Sequence, residues 1–371
     1  MKITKLETFF VKPRWLFLKV HTDEGIVGLG EPVVEGRAQT VAAAVQEIGR
    51  YLIGKDPRRI EHHWQAIYRG QYYRGGPVLC SALSGIEHAL WDITGKWLGQ
   101  PVYQLLGGAT RDKIRMYGWL GGETYGEHIE SAKVSADAGF TVLKTGLVGA
   151  FEAVDTPAKV EDAVRRFAQI REAVGPDVQV GIDFHGRGSP AMAIRLARAL
   201  EPYHPMFIEE PVLPENVDAL ATVARSTSIP IATGERLFTK WGFREVLEKQ
   251  AAAILQPDLS HVGGILECKK IAAMAECYYV AMAPHCPLGP IALAACLQLD
   301  ACIPNFLAQE HVTLGEGYLK EPFKIVDGYI DLPTRPGLGI ELDEETLADK
   351  RHDGTWETPR LWQDDGSVAD W

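Results

Sequence analysis

Three acidic residues at regular spacing are the side chains in this sequence best suited to chemistry. Asp183, Glu209 and Glu235 each follow a short apolar run, and successive members are 26 residues apart. Such a run indicates a buried strand, and the acid marks where the strand emerges. One strand and one helix fill about 26 residues, so successive β/α units would bring the three acids together. Converging carboxylates repel unless a cation joins them, and all-oxygen ligands favour Mg²⁺.

Glu210 directly follows Glu209, and strand side chains alternate, so only one of the two can face the other acids. The apolar residues before them leave the strand phase open. We choose Glu209 as the ligand because it keeps the even 26-residue step.

Two histidines are candidates for proton transfer beside this metal site. His185 lies two residues after Asp183, so strand alternation would point both side chains the same way. Asp258 and His285 end two later apolar runs, and neighbouring strands about 4.8 Å apart would let them hydrogen-bond. A carboxylate held on one imidazole nitrogen raises the basicity of the other. His285 is therefore the candidate general base, and His185 is the candidate acid on the opposite side of the substrate.

An acid and a base on opposite faces suit β-elimination of water from a hydroxy-carboxylate. Mg²⁺ would stabilise the anion formed when the α-proton leaves, and His185 would protonate the departing hydroxyl. A protonated Glu310 would donate a hydrogen bond to the substrate carboxylate. Lys144 has two interpretations: it offsets negative charge in the site, or its amine extends from the rim into solvent.

The elements that position these residues follow a β/α repeat. Polar or aromatic residues end eight apolar runs after residue 113, and helical stretches separate most of them. Eight β/α units predict a closed barrel with its active site at the C-terminal rim of the strands. Residues 1–112 read as an α+β unit, 113–325 as the barrel, and 326–371 as a segment that packs back on the N-terminal unit. The predicted strand ends are Trp119, Lys144, Asp183, Glu209, Glu235, Asp258, His285 and Glu310.

Composition narrows the function classes. The chain has 371 residues, 46% hydrophobic and 23% charged, with a formal net charge of −11. This charge argues against nucleic acid or an anionic membrane surface as the main partner. The six cysteines show no zinc-site spacing, and the N-terminus has no apolar signal segment, so we expect a cytoplasmic protein.

Longer motifs show a resemblance to a known family. The chain resembles the enolase superfamily, mandelate racemase-type subgroup, and within it the galactonate-dehydrating branch. The resemblance covers nearly the whole chain. The most specific segments are Asp183-Phe-His-Gly-Arg187, Ile208-Glu-Glu-Pro-Val212 and Ala283-Pro-His-Cys-Pro-Leu-Gly-Pro290.

The resemblance implies a modified (β/α)7β TIM barrel closed by an N-terminal α+β capping domain. It implies one Mg²⁺ per active site on Asp183, Glu209 and Glu235, with His285 as base, Asp258 behind it and His185 as acid. Glu310 matches the electrophilic glutamate of the family. The protein is expected to form a homo-oligomer that takes a small sugar acid.

Alternative functions stay open at this point. The main rival is dehydration of another aldonate, such as gluconate or arabinonate. Racemisation or epimerisation comes next, although Lys144-Thr-Gly146 lacks the second lysine of the racemases and His185 stands where they carry asparagine. A non-catalytic sugar-acid binding protein is the alternative from another class.

The sugar itself depends on segments that depart from the family pattern, at residues 146–155 and after Glu310. Side chains of the capping domain are candidates for closing over the polyol, or for domain packing and surface positions instead. They are Arg14, Trp15, Tyr72, Tyr73 and Arg74.

Overall fold

The computed structural model describes residues 1–122, 124–147 and 149–370, and its N-terminal part is an α+β unit. Its second and third strands form a hairpin with Gly25 in the turn, where a φ of 79° costs glycine nothing. The antiparallel strands are β1 (Ile3–Val11), β2 (Trp15–Thr22) and β3 (Val27–Gly30). The helices are α1 (Ala38–Leu52), α2 (Ile60–Arg69), α3 (Pro77–Leu98) and α4 (Val102–Leu105).

Helix α3 packs directly against the backbone of β3. A Cβ atom added at Gly30 would lie 1.9 Å from the carbonyl oxygen of Gly85, and one at Gly28 would lie 2.1 Å from that of Ala89. Only glycine allows the strand and the helix to approach this closely. The end of β3 is therefore held in one position on α3.

The second part of the chain is a barrel of parallel strands, which confirms the predicted fold class. Two hydrogen bonds of 2.8 Å join the two edges of its sheet and close the barrel. Met282 N donates to Asn305 O, and Leu307 N donates to Met282 O. Within the described residues its strands are β4 (Lys113–Trp119), β5 (Val142–Gly146), β6 (Gln179–Asp183), β7 (Ile208–Glu209), β8 (Ile231–Thr233), β9 (Ile254–Leu255), β10 (Ala281–Met282) and β11 (Gln309–Glu310).

Helices alternate with these strands as far as β11, which gives the (β/α)7β form within the described residues. Buried apolar side chains on the helices, such as Phe167 and Leu196, pack on the outside of the sheet. The helices are α5 (Tyr125–Asp137), α6 (Pro157–Val174), α7 (Pro190–Leu200), α8 (Val217–Ala224), α9 (Thr239–Glu248), α10 (Ile265–Glu276) and α11 (Pro290–Asp300), with a short 3-10 helix at Glu201–Tyr203.

The chain after β11 returns to both parts. Strand β12 (Tyr329–Asp331) pairs antiparallel with β4, and further along Lys12 N donates to Lys350 O at 2.8 Å. This contact with the N-terminal unit is the kind expected for the segment, while the domain boundaries at 112 and 325 stay predictions. The remaining elements are α12 (Glu344–Ala348), β13 (Leu361–Trp362) and β14 (Val368–Ala369).

Two buried glutamates of the N-terminal unit accept hydrogen bonds from helix N-termini of the barrel. Glu31, just after β3, accepts from Gly289 N at 2.7 Å and Ala292 N at 2.9 Å, where α11 begins. Glu87 on α3 accepts from the first backbone amides of α10 at 2.8 and 2.9 Å. A carboxylate satisfies amides that a helix leaves unpaired, so these contacts hold the two units together.

Burial raises the pKa of Glu31 to about 8 and that of Glu87 to about 7, against an ordinary value of 4.5, although the backbone amides oppose the shift. The folded protein therefore retains protons that the unfolded chain has lost, and the free energy of unfolding should fall as pH rises from about 4.5 to 8. One fully retained proton corresponds to about 1.4 kcal/mol per pH unit. Urea unfolding across this range should show a shallower decline for Glu31→Gln and Glu87→Gln than for wild type. Equal slopes in all three proteins would contradict the prediction.

Candidate active site

The C-terminal ends of the barrel strands open into a cavity of about 530 Å³, on the side that faces the N-terminal unit. This is the rim where a β/α barrel carries its active site. The polar and aromatic lining includes Arg14, Glu35, Trp119, Asp183, His185, Glu235, Arg236, His261, His285 and Glu310.

Asp183, Glu209 and Glu235 meet at this rim, each with a carboxylate oxygen within 4.8 Å of the others. Asp183 and Glu209 are paired across neighbouring strands β6 and β7, and Glu235 follows β8 by two residues. Asp183 Oδ2 is buried, and its contacts with Lys144 Nζ at 3.3 Å and His185 Nε2 at 3.2 Å are ion pairs without hydrogen-bond geometry. An all-oxygen donor set with an acceptor that no hydrogen bond satisfies fits a hard divalent cation such as Mg²⁺. The ligand roles themselves stay predictions.

The structure also separates Glu209 from Glu210. Glu210 adopts a left-handed conformation with φ of 41° and turns towards the end of β8. Its carboxylate accepts hydrogen bonds from Thr233 Oγ1 at 2.6 Å, Gly234 N at 2.9 Å and Arg236 Nη2 at 2.7 Å. The acid that faces the rim cluster is therefore Glu209, as the 26-residue step indicated.

Lys144 is the counterion of this cluster. Its side chain is 1% exposed, and its Nζ atom lies 2.6 Å from Glu209, 2.9 Å from Glu310 and 3.3 Å from Asp183. Burial favours the neutral amine, yet Glu209 and Glu310 raise the pKa of Lys144 well above its ordinary value, so the lysine is charged. The interpretation in which its amine extends into solvent is wrong, because the neighbouring carboxylates hold it inside the barrel.

His285 has carboxylates at both ring nitrogens. Its Nδ1 atom lies 2.9 Å from Asp258 Oδ2, and its Nε2 atom lies 3.1 Å from Glu235 Oε2. Burial disfavours the charged imidazolium, but Glu235 and Glu310, together with the hydrogen bond to Asp258, raise the pKa of His285 well above its ordinary value. The predicted contact between Asp258 and His285 is present, and it leaves Nε2 as the atom that faces the cavity.

His185 reaches the cluster by a different route from the one expected. Strand β6 ends at Asp183, and His185 has a left-handed φ of 54°, so strand alternation does not place it. Its Nε2 atom lies 3.2 Å from Asp183 Oδ2, and its ring is stacked on Trp119 with 6.4 Å between the centroids. Burial lowers the pKa of His185, while Asp183 and Glu235 oppose the shift. The predicted location is right, but the reason for it lies in the turn after the strand.

The charges around Glu310 favour its ionised form. Burial alone would raise its pKa, but Lys144 and His285 lower it below the ordinary value. Its carboxylate accepts hydrogen bonds from Trp119 Nε1 at 2.5 Å and Cys286 N at 2.8 Å. Lys144 Nζ lies 2.9 Å from Glu310 Oε1 and disfavours the protonated form that the sequence suggested, while the role of Glu310 stays a prediction.

Of the candidates in the capping domain, Arg14 alone lines the cavity in the part of the chain that the structure describes. Its Nη2 atom lies 2.6 Å from Glu35 Oε1, and the same atom donates to Pro287 O at 3.2 Å. Trp15 is buried in the core of the N-terminal unit, 5.0 Å from Tyr318 between ring centroids. The other candidates lie on the surface, with exposures of 91% for Tyr72 and 84% for Tyr73, and with Arg74 also exposed.

Three polar lining residues were missed by sequence reasoning. Arg236 lines the cavity while it holds Glu210, and its position directly after Glu235 was the available signal. His261 has its Nδ1 atom 2.9 Å from Ser81 Oγ and its Nε2 atom 3.7 Å from Asp258. Glu35 is the partner of Arg14, and no local pattern in the sequence marks it.

This fold and site define a family. The profile described as "Enolase C-terminal domain-like" matches residues 127–346, and the profile described as "Mandelate racemase / muconate lactonizing enzyme, N-terminal domain" matches residues 7–107. The chain belongs to the enolase superfamily.

Individual relatives are similar over their full length. The D-galactonate dehydratase of Cronobacter sakazakii (strain ATCC BAA-894) is 53% identical, and that of Ralstonia nicotianae (strain ATCC BAA-1114 / GMI1000) is 52% identical, each over 100% of both chains. Among solved structures, a mandelate racemase/muconate lactonizing enzyme from Jannaschia sp. CCS1 superimposes with a TM-score of 0.90. That protein is 34% identical, and the match covers 97% of this chain and 99% of that one.

The position of Lys144 leads to a test of the charge balance. Lys144→Met removes the buried positive charge and leaves carboxylates without a counterion, which should lower the free energy of unfolding by about 3–5 kcal/mol. Saturating Mg²⁺ should recover much of that loss, because a cation on Asp183, Glu209 and Glu235 replaces the missing charge. Urea unfolding with MgCl₂ and with EDTA measures both effects. Loss of the same size under the two conditions would show that the metal and Lys144 do not share these carboxylates.

Proposed function

We propose that this chain is a Mg²⁺-dependent dehydratase that converts an aldonic acid to its 2-keto-3-deoxy acid, and that its substrate is D-galactonate. The observation that carries the proposal is the site itself: a carboxylate triad and two histidines, one of them paired with Asp258, meet in one cavity. The full-length similarity to D-galactonate dehydratases supports the substrate.

The triad would hold one Mg²⁺, through Asp183, Glu209 and Glu235. When bound, the ion would supply positive charge that offsets these carboxylates and stabilises the negative charge developing on the substrate as its C2 proton leaves. Lys144 keeps a second positive charge beside Glu209 and Glu310, so the protein carries part of this stabilisation itself.

His285 is the proposed base. Asp258 accepts a hydrogen bond from Nδ1–H, so the neutral form of His285 would carry its lone pair on Nε2, the atom that would receive the C2 proton. The electron pair of the C2–H bond forms the C2–C3 double bond, and the C3–O bond breaks. His185 Nε2 gives its proton to the departing oxygen, which leaves as water. The enol that remains tautomerises to the 2-keto-3-deoxy product.

The pKa directions of the two histidines do not by themselves distinguish the base from the acid. In the structure described, the pKa of His285 is raised by nearby carboxylates and the pKa of His185 is lowered by burial. These directions alone put the proton on the proposed base. The role of base rests instead on the hydrogen bond to Asp258, which orients the ring.

We also propose a cytoplasmic location. The cysteines are free thiols, and all but Cys277 are buried, as suits a reducing compartment. In the ranges that the structure covers, no helix combines the length and the apolar character needed to cross a membrane.

A substrate screen tests the proposed function. Purified protein with MgCl₂ should form a 2-keto-3-deoxy acid from D-galactonate, measured by semicarbazone absorbance and by NMR of the product. Gluconate, arabinonate and aldarates in the same screen test the rival substrates. Interconversion of epimers without loss of water would establish the racemase alternative instead. Absence of product from every acid sugar would remove the dehydratase proposal.

Single histidine variants separate the two proton transfers. His285→Asn should lower C2 hydrogen exchange in D₂O and dehydration together, by about 10²–10⁴-fold. His185→Asn should lower dehydration by a similar factor and retain measurable C2 exchange, because it removes the acid and keeps the base. Exchange is followed by ¹H NMR of the recovered substrate. The opposite pattern would exchange the roles of the two residues.

A further inference from the structure

We propose that the N-terminal unit fixes the position of the catalytic base, with Glu31 as a positioning residue for His285 and the buried polar face of α3 as a support for Asp258. The inference rests on the role of His285 given in the proposed function. It goes further because the family resemblance implies only that the N-terminal unit closes over the substrate. Here that unit also positions His285.

The segment that carries His285 is held from the N-terminal unit. It runs from His285 to Gly289 and leads into α11, and Glu31 accepts the amides of Gly289 and Ala292 at 2.7 and 2.9 Å. A Cβ atom at Gly289 would lie 2.5 Å from Glu31 Oε1, so the segment lies directly against the carboxylate. Arg14 donates to Pro287 O in the same segment.

Glu31 is itself held firmly. It is 0% exposed and follows Gly30, whose backbone touches the backbone of Gly85 on α3. Because neither backbone can shift without opening this contact, the position of α3 sets the position of Glu31. The connection from helix to catalytic segment is therefore short and consists of buried contacts.

The same helix holds the segment that carries Asp258. His88 Nε2 donates to Leu259 O at 2.9 Å, and Gly263 N donates to Ser84 Oγ at 2.8 Å. His88 and Ser84 are fully buried and four residues apart, so they lie on one face of α3.

Both partners of the base are consequently supported by one helix of the other unit. The 2.9 Å contact between His285 Nδ1 and Asp258 Oδ2 lies between these two supported segments. Barrel residues hold the His285 segment from the other side, since Gln309 Nε2 donates to Pro284 O at 3.1 Å. The acceptor for the backbone N–H groups of Gly289 and Ala292 is Glu31, which belongs to the N-terminal unit.

Glu31→Gln tests the inference in the full-length protein. The amide keeps the size of the side chain, but its NH₂ group cannot accept a hydrogen bond from a backbone N–H as either protonation state of the carboxyl group can, so the His285 segment should move. Misplacing a catalytic group by a fraction of an ångström costs rate, and we expect kcat for D-galactonate to fall about 10- to 100-fold with KM and Mg²⁺ affinity within about twofold of wild type. The primary isotope effect with C2-deuterated substrate should increase, because C2 proton removal becomes slower.

Glu267→Gln is the matched control. Glu267 is also fully buried and accepts a backbone amide at a helix start, from Lys240 N at 3.0 Å, but it contacts neither His285 nor Asp258. The control should keep the wild-type isotope effect. A fall in rate for Glu31→Gln that follows only the folded fraction, with an unchanged isotope effect, would overturn the positioning role.

A substrate-free measurement separates this inference from the proposed function. Protein labelled with ¹⁵N-histidine should show a downfield Nδ1–H proton for His285 bound to Asp258, identified by its loss in His285→Asn. This signal should shift or broaden in Glu31→Gln and stay unchanged in Glu267→Gln. If no aldonate is a substrate but the signal still responds, the substrate assignment fails and the positioning stands. An unchanged signal in Glu31→Gln would overturn the positioning even in an active dehydratase.

Discussion

Lys144 places one positive charge among carboxylates that would otherwise repel each other in a buried space. Its Nζ atom contacts Glu209, Glu310 and Asp183 within 3.3 Å. Charges in such a space interact far more strongly than charges at the surface, because the effective dielectric constant is lower. The excess of negative charge suits the rim to a cation, and Lys144 reduces the repulsion between the carboxylates when no cation is bound.

The remaining side chains of the rim serve the same electrostatic balance. Gln256 Nε2 donates to Glu209 Oε2 at 2.6 Å, and Trp119 Nε1 donates to Glu310. Arg236 Nη2 lies 2.7 Å from Glu210 Oε2 and neutralises this carboxylate, so Glu210 adds no negative charge to the cluster. Glu209, Glu310 and Glu210 thus each have a hydrogen-bond donor beside them, and the buried polar groups form a connected network rather than isolated pairs.

Sequence reasoning succeeded where the answer depended on the repeat of the fold. The regular step from Asp183 to Glu235, and the pairing of Asp258 with His285, follow from β/α units of equal length with neighbouring strand ends. These features need only the order of elements along the chain, so they can be read from spacing.

Prediction from the sequence failed for properties that depend on groups far apart in the chain or on the local shape of a turn. The positive charge that favours an ionised Glu310 is on Lys144, which lies 166 residues earlier. The conformation of His185 is a property of a turn, and alternation within a strand does not describe it. Arg14 lines the cavity and Tyr72 does not, because the packing of the two units decides which side chains reach the rim.

The glycine contact between β3 and α3 has an evolutionary consequence. Inside the N-terminal unit the backbones of Gly30 and Gly85 are in contact, and Glu31, next to Gly30, reaches the barrel at Gly289, so substitutions at these four positions are expected to depend on one another. On the positioning proposed above, an N-terminal unit that lacked these contacts would leave the segment that carries His285 without its support from Glu31.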